Sequence, residues 1–151
     1  MDNRIPPPLV ATLFGLLAWF AARHLPGTLA VTAEWRIGLA LVVLLVGVAV
    51  CLAGVLSFRH ARTTVNPLKP ETASALVTGG IYTYTRNPMY LGFATALIAW
   101  SIFLAWPPAL LSVLGFVIYM NLFQIGPEER ALASRFGRAF TQYCKQVRRW
   151  L

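Results

Sequence analysis

Three long stretches of this 151-residue chain carry no charge, and they limit what it can fold into more than any other feature. Ile5 to Ala22 is charge-free, Ile37 to Phe58 is charge-free over 22 residues, and Asn87 to Pro127 over 41. A helix needs about 20 apolar residues, at about 1.5 Å rise each, to cross about 30 Å of hydrocarbon. The first two stretches therefore hold one helix each. The third holds two, because Trp106-Pro107-Pro108 cannot continue a helix interior but suits a tight turn and the first turn of the next helix. Backbone groups in lipid must be bonded internally, so helices are the default. The expected architecture is an all-α integral membrane protein in one domain, residues 1–151. Four transmembrane helices are expected at about 7–24, 37–58, 89–105 and 108–126, with a loop at 59–88 and an amphipathic interfacial helix at 128–147.

Composition agrees. The chain is 58% hydrophobic and 12% charged, against about 45–50% and about 25% in a soluble domain. This excludes a solvated globular enzyme and a disordered tail. The length leaves no room for a nucleotide-binding Rossmann domain beside a membrane anchor. The net charge of +8 is read as cytoplasmic loops facing anionic lipid before it is read as nucleic-acid binding. Arg59, Arg62, Lys69 and Arg86 crowd the loop between the second and third spans; Arg130, Arg135, Arg138, Lys145, Arg148 and Arg149 crowd the C-terminal segment. The turn between spans three and four has no Lys or Arg, and the loop between spans one and two has only Arg23 and Arg36. By the positive-inside rule, loop 59–88 and both termini are expected on the cytoplasmic side, the N-terminus on Arg4 alone. The first apolar run ends in Trp19-Phe20 rather than a small-residue site, which favours a span over a cleaved signal peptide. Cys51 and Cys144 make neither a disulfide framework nor a metal cluster.

Gly47, Cys51 and Gly54 form a small-residue stripe, read as a helix-packing face. Pro127 can open a new helix at its first position, with Glu128 and Glu129 complementing the helix N-terminus. Beyond it Leu132, Phe136, Phe140, Tyr143 and Val147 recur at helical spacing opposite a basic face, which suits a membrane surface; Gly137 weakens that helix.

No charged residue falls inside a predicted span, so a proton-coupled transporter is disfavoured and polar chemistry is expected at the rim. No dinucleotide fingerprint, P-loop, metalloprotease motif or zinc spacing occurs, and His24 and His60 stand singly at span ends. What remains is the loop before the third span, Leu76-Val77-Thr78-Gly79-Gly80-Ile81-Tyr82-Thr83-Tyr84-Thr85-Arg86-Asn87-Pro88-Met89-Tyr90-Leu91-Gly92. Gly79-Gly80 can bring backbone N–H groups close to a ligand, and Tyr82, Tyr84 and Tyr90 offer flat faces for a base. Arg86 can grip a carboxylate, and Glu128 and Glu129 can accept from hydroxyls or an ammonium group. Singly, Arg86 is a positive-inside charge, the tyrosines an aromatic belt and the glutamates helix-terminal charges; their combination suggests a site for an adenine, a ribose and an amino-acid head.

This motif, followed after a helical hairpin by Glu128-Glu129 and a tail from Phe136-Gly137 to Arg148-Arg149-Trp150-Leu151, resembles the isoprenylcysteine carboxyl methyltransferase family. The phospholipid methyltransferases resemble it in the same motif. The resemblance covers about residues 63–151. It implies an integral-membrane methyltransferase that uses S-adenosylmethionine in a cytosolic pocket, with a lipophilic acceptor arriving from the bilayer. Carried over, the cofactor positions are Val77, Gly79, Tyr82, Arg86, Asn87, Pro88, Tyr90, Glu128 and Glu129, with Arg86 and Glu129 as the catalytic pair and no metal. The family's usual Arg-His-Pro is Arg86-Asn87-Pro88 here, and Asn cannot titrate, so this position can orient a cofactor but cannot act as a base.

The expected reaction is methyl transfer to a carboxylate, thiol or amine on a lipophilic or membrane-embedded acceptor, with membrane lipids as partners and no nucleic acid. The rivals are an NADPH-dependent membrane reductase of the sterol-reductase type and a non-enzymatic small membrane subunit. The reductase wants several clustered cations for its phosphates, where the motif offers chiefly Arg86. The acceptor and the oligomeric state are left open by the sequence.

Overall fold

The structure, a computed structural model, describes residues 5–61 and 75–151. Arg4, Arg62, Lys69 and the Thr63–Pro70 part of the loop lie outside the described residues. Every regular element among the described residues is helical. Helix α1 runs Pro7–His24, α2 Ala33–His60 and α3 Pro88–Leu104, with a 3₁₀ turn at Gly80–Thr83 before α3. A second 3₁₀ turn, Pro107–Ala109, leads into α4, Leu110–Tyr119. A π-helical segment, Met120–Ile125, joins α4 to α5, Gly126–Phe136, and α6 spans Arg138–Gln146.

Prolines set three of the starts. Pro7, Pro88 and Pro107 occupy first-turn positions, where a missing N–H costs nothing. Helix α3 stops at Ala105, whose left-handed backbone (φ 48°) lets its N–H reach Ile102 O, and Pro107 then forbids continuation.

Two helical stretches are long and apolar enough to cross a membrane, Ala33–His60 with 28 residues and Pro107–Phe136 with 30. Helix α3, with 17 residues, is apolar but shorter. Large apolar side chains face outward, among them Leu9, Leu45, Leu111 and Leu122, each at least 60% exposed. A soluble surface rarely carries so much contiguous apolar area.

The second long stretch departs from expectation. Pro127 does not open a separate helix; the backbone stays helical from Pro107 to Phe136. A proline inside a helix loses one hydrogen bond and crowds the carbonyl four residues back, and the wider π turn ahead of Pro127 supplies the slack. The break comes instead at Gly137, whose φ of 52° suits glycine. The amphipathic segment expected over 128–147 is thus two helices, α5 and α6, set at an angle by Gly137.

Helix α3 packs chiefly on α2. The small-residue stripe makes this contact: a Cβ on Gly92 would lie 2.7 Å from Gly47 O and 2.8 Å from Cys51 Cβ. Trp100 Nε1 donates to Gly15 O at 3.0 Å and ties α3 to α1. Val10, Tyr90, Leu97, Phe116 and Met120 fill the space between.

Candidate functional site

The site grows where the backbone just ahead of α3 meets the beginning of the α5 portion of the long helical stretch. Thr85-Arg86-Asn87 is the last non-helical backbone before Pro88, and Glu128-Glu129 is the first turn of α5. Although 43 residues apart, Arg86 Nη2 donates to Glu129 Oε1 at 2.7 Å. Close by, the Tyr90 hydroxyl donates to Glu128 Oε1 at 2.6 Å. The two halves of the motif therefore converge at one end of the helical bundle.

A third segment closes over them. Arg149 Nη2 lies 2.5 Å from Glu129 Oε2 and its Nε donates to Oε1 at 3.1 Å, so Glu129 sits between two guanidinium groups. Carbonyls of the same segment take up the polar groups ahead of α3. Arg86 Nη1 donates to Cys144 O and Val147 O, the Arg86 N–H to Arg148 O, and Asn87 Nδ2 to Arg149 O at 2.9 Å. Arg86 Nε is buried with no hydrogen-bond partner.

The amphipathic stripe holds this strap in place. Phe140, Tyr143 and Val147 pack on Tyr82, with Leu76, Val77, Phe58, Leu132 and Phe136 around them. The face expected to lie on the membrane surface is thus spent on the loop before α3. The Tyr143 hydroxyl donates to Tyr82 O at 2.7 Å. Burial raises the phenol pKa of both Tyr82 and Tyr143 above the ordinary range, and for Tyr82 the neighbouring Tyr143 and Glu128 add to the effect. Both are neutral hydrogen-bond donors at any physiological pH.

The expected residues therefore occupy different surroundings. Arg86, Tyr90, Glu128 and Glu129 are linked directly, and Tyr82 and Val77 lie in the adjoining cluster. Asn87 faces the C-terminal strap. Pro88 packs on α2, within 3.0 Å of where a Cβ on Gly54 would stand. Gly79 borders open space, since an added Cβ would meet nothing within 4 Å. Tyr84 is 77% exposed and stands apart from the network.

Three members of this polar network escaped the sequence reading. Gln124, 2% exposed, donates through Nε2 to Glu128 Oε1 at 2.7 Å. Asn121 accepts from Arg149 Nη1 at 3.1 Å and from Trp150 Nε1 at 3.2 Å, which makes Arg149 the third. A signal existed: Asn121, Gln124 and Glu128 recur at spacings of three and four in an otherwise apolar stretch.

The comparison with known families bears on this same region. The profile of the phospholipid methyltransferase family matches residues 35–139, more than half of the chain. The chain belongs to that family. The match runs from the first turn of α2 into α6 and takes in both halves of the site, but it stops short of the strap that carries Arg149. An uncharacterized protein of Haemophilus influenzae is 43% identical over 63 residues, which is 42% of this chain and the whole of that protein. Family membership and the outward-facing apolar helices together describe a membrane methyltransferase.

Proposed function

We propose that this protein transfers a methyl group from S-adenosylmethionine to a lipophilic acceptor at the cytoplasmic face of a membrane that α1, α2, α3 and the α4–α5 stretch all cross. The observation that carries the reading is the Arg86–Glu129 ion pair, which brings the motif ahead of α3 onto the acidic turn of α5. The residues fit such a cofactor on two counts. An orphaned, buried donor, Arg86 Nε, sits within the network, and open space borders the Gly79 backbone. When bound, the cofactor supplies a sulfonium-activated methyl group.

The chain's own residues then have positioning work. Tyr90 and Gln124 aim Glu128 from two sides, so that its carboxylate can accept from a hydroxyl or an ammonium group. Arg86 and Arg149 hold Glu129, which keeps the acidic turn in register with the loop before α3. Gly79 lets a ligand approach the backbone, the half-buried Val77 offers apolar surface to a base, and the buried Tyr82 supports the loop from beneath. Asn87 and Pro88 fix the start of α3 beneath it. Such alignment can be worth about 7–11 kcal/mol of barrier. Little acid–base chemistry is needed for a carboxylate or thiolate acceptor; an amine acceptor would pass its proton to Glu128, since Arg86 and Arg149 hold Glu129 as a carboxylate.

The test is calorimetry on detergent-purified protein with S-adenosylhomocysteine. Binding is expected, and Glu128→Gln, which keeps the side-chain shape, should weaken it at least tenfold. Absence of binding in folded wild-type protein overturns the reading, and displacement by NADPH would replace it with the reductase.

A further inference from the structure

At the other end of the bundle the first turns of α2, the last turn of α3 and the Pro107–Ala109 turn enclose an apolar groove of about 970 Å³. Leu39, Val42, Ile102, Trp106 and Leu110 form much of its wall. That volume sits at the upper end of the range of about 300–1,000 Å³ typical of small-molecule sites. Helix α3 separates the groove from Arg86 by 17 residues, or about 25 Å at about 1.5 Å per residue. The groove is therefore distinct from the proposed methyl-transfer site.

Two charged side chains, Glu34 and Arg36, stand in this otherwise apolar wall. Arg36 lines the groove with its Cζ 5.7 Å from the Phe103 ring centroid, and its Nε is buried with no hydrogen-bond partner. Two other wall donors are already engaged: Ser101 Oγ donates to Leu97 O at 2.8 Å and Trp106 Nε1 to Pro26 O at 3.1 Å. A buried donor such as Arg36 Nε, left without an acceptor beside apolar surface, is costly unless a ligand completes it. A free anion would leave the groove empty, and a neutral hydrocarbon would leave Arg36 Nε orphaned. Glu34 also lines the groove and would repel a second negative charge, which favours a phosphodiester over a phosphate monoester.

We infer that this groove is a phospholipid site, with an acyl chain lying along α2 and α3 and the phosphodiester on Arg36. It would be filled from the leaflet opposite the proposed methyl-transfer site, by a lipid that is not the methyl acceptor.

Trp35 and Trp106 border the groove and report on it. Phosphatidylglycerol with a brominated acyl chain, titrated into protein in neutral detergent, should quench tryptophan fluorescence saturably. Arg36→Gln should shift the half-saturation point at least fivefold upward, and brominated diacylglycerol, which lacks the phosphate, should quench without saturation. Gly38→Leu provides a variant that keeps the cation. Gly38 lines the groove with nothing within 4 Å of an added Cβ, so leucine would fill the space, and it is the better helix former. It should weaken saturable quenching as well. Identical titrations for wild type and Arg36→Gln, or equal quenching by diacylglycerol, would overturn the site.

Discussion

At the residue scale the clearest object is Glu129, gripped by Arg86 and Arg149 with its side chain only 22% exposed. Glu129→Ala leaves two guanidinium groups without their carboxylate, and Arg86→Ala leaves Glu129 with the half-exposed Arg149 alone, each at a cost of up to about 3 kcal/mol. Arg86→Ala and Glu129→Ala should each lower the unfolding midpoint in detergent, and the double variant should lose less than the sum, with a coupling of about 0.5–3 kcal/mol. Additive losses would mean that the two groups do not interact in solution. Gly79 offers the opposite test. An alanine there would meet nothing within 4 Å, and its backbone (φ −96°) suits any residue, so Gly79→Ala should leave stability within about 0.5 kcal/mol of wild type. If Gly79 is there for backbone approach to a ligand, the same variant should lose S-adenosylhomocysteine affinity in calorimetry.

At the element scale two local devices place the site. The first is the glycine contact between α2 and α3. Because the atoms nearest a Gly92 Cβ are Gly47 O and Cys51 Cβ, relief requires moving a helix rather than a flexible side chain. Gly92→Ala should therefore cost about 1–3 kcal/mol in thermal unfolding, whereas Gly38→Ala, which meets nothing, should not destabilise. The second device is the π segment. One extra residue in a turn rotates the rest of the helix about its axis, and here Asn121 and Gln124 come to lie on the side that carries Glu128 and Glu129.

At the scale of the whole molecule the C-terminal strap closes the site, although it lies beyond the family match. A chain ending at Gln146 loses Arg149 and the carbonyls of Val147, Arg148 and Arg149 that receive Arg86 and Asn87. It should still form the α2–α3 pair, but should bind S-adenosylhomocysteine at least tenfold more weakly and show a lower unfolding midpoint. The orientation proposed from the Lys/Arg bias is open to labelling. In a Cys51→Ala background, Cys144 should react with a membrane-impermeant maleimide from the cytoplasmic side alone. The reaction should be slow near neutral pH, because burial raises the Cys144 thiol pKa above its ordinary value.

The charge-free stretches and punctuating prolines determined the helical class and the start of α3, since hydropathy and a missing N–H act locally wherever the chain goes. Likewise the family resemblance was carried by contiguous residues from Leu76 to Gly92 and by Glu128-Glu129, all legible without coordinates. Pairing was not legible. Arg86 could have held a ligand or stood in water, and only the folded chain puts Glu129 against it. Continuity through Pro127, the break at Gly137, the apolar face turned onto Tyr82 and the roles of Asn121, Gln124 and Arg149 likewise depend on what packs beside them. Local pattern fixes how each segment folds; which segments meet is decided by packing and by the cost of leaving a charge unpaired, and those are properties of the assembled bundle.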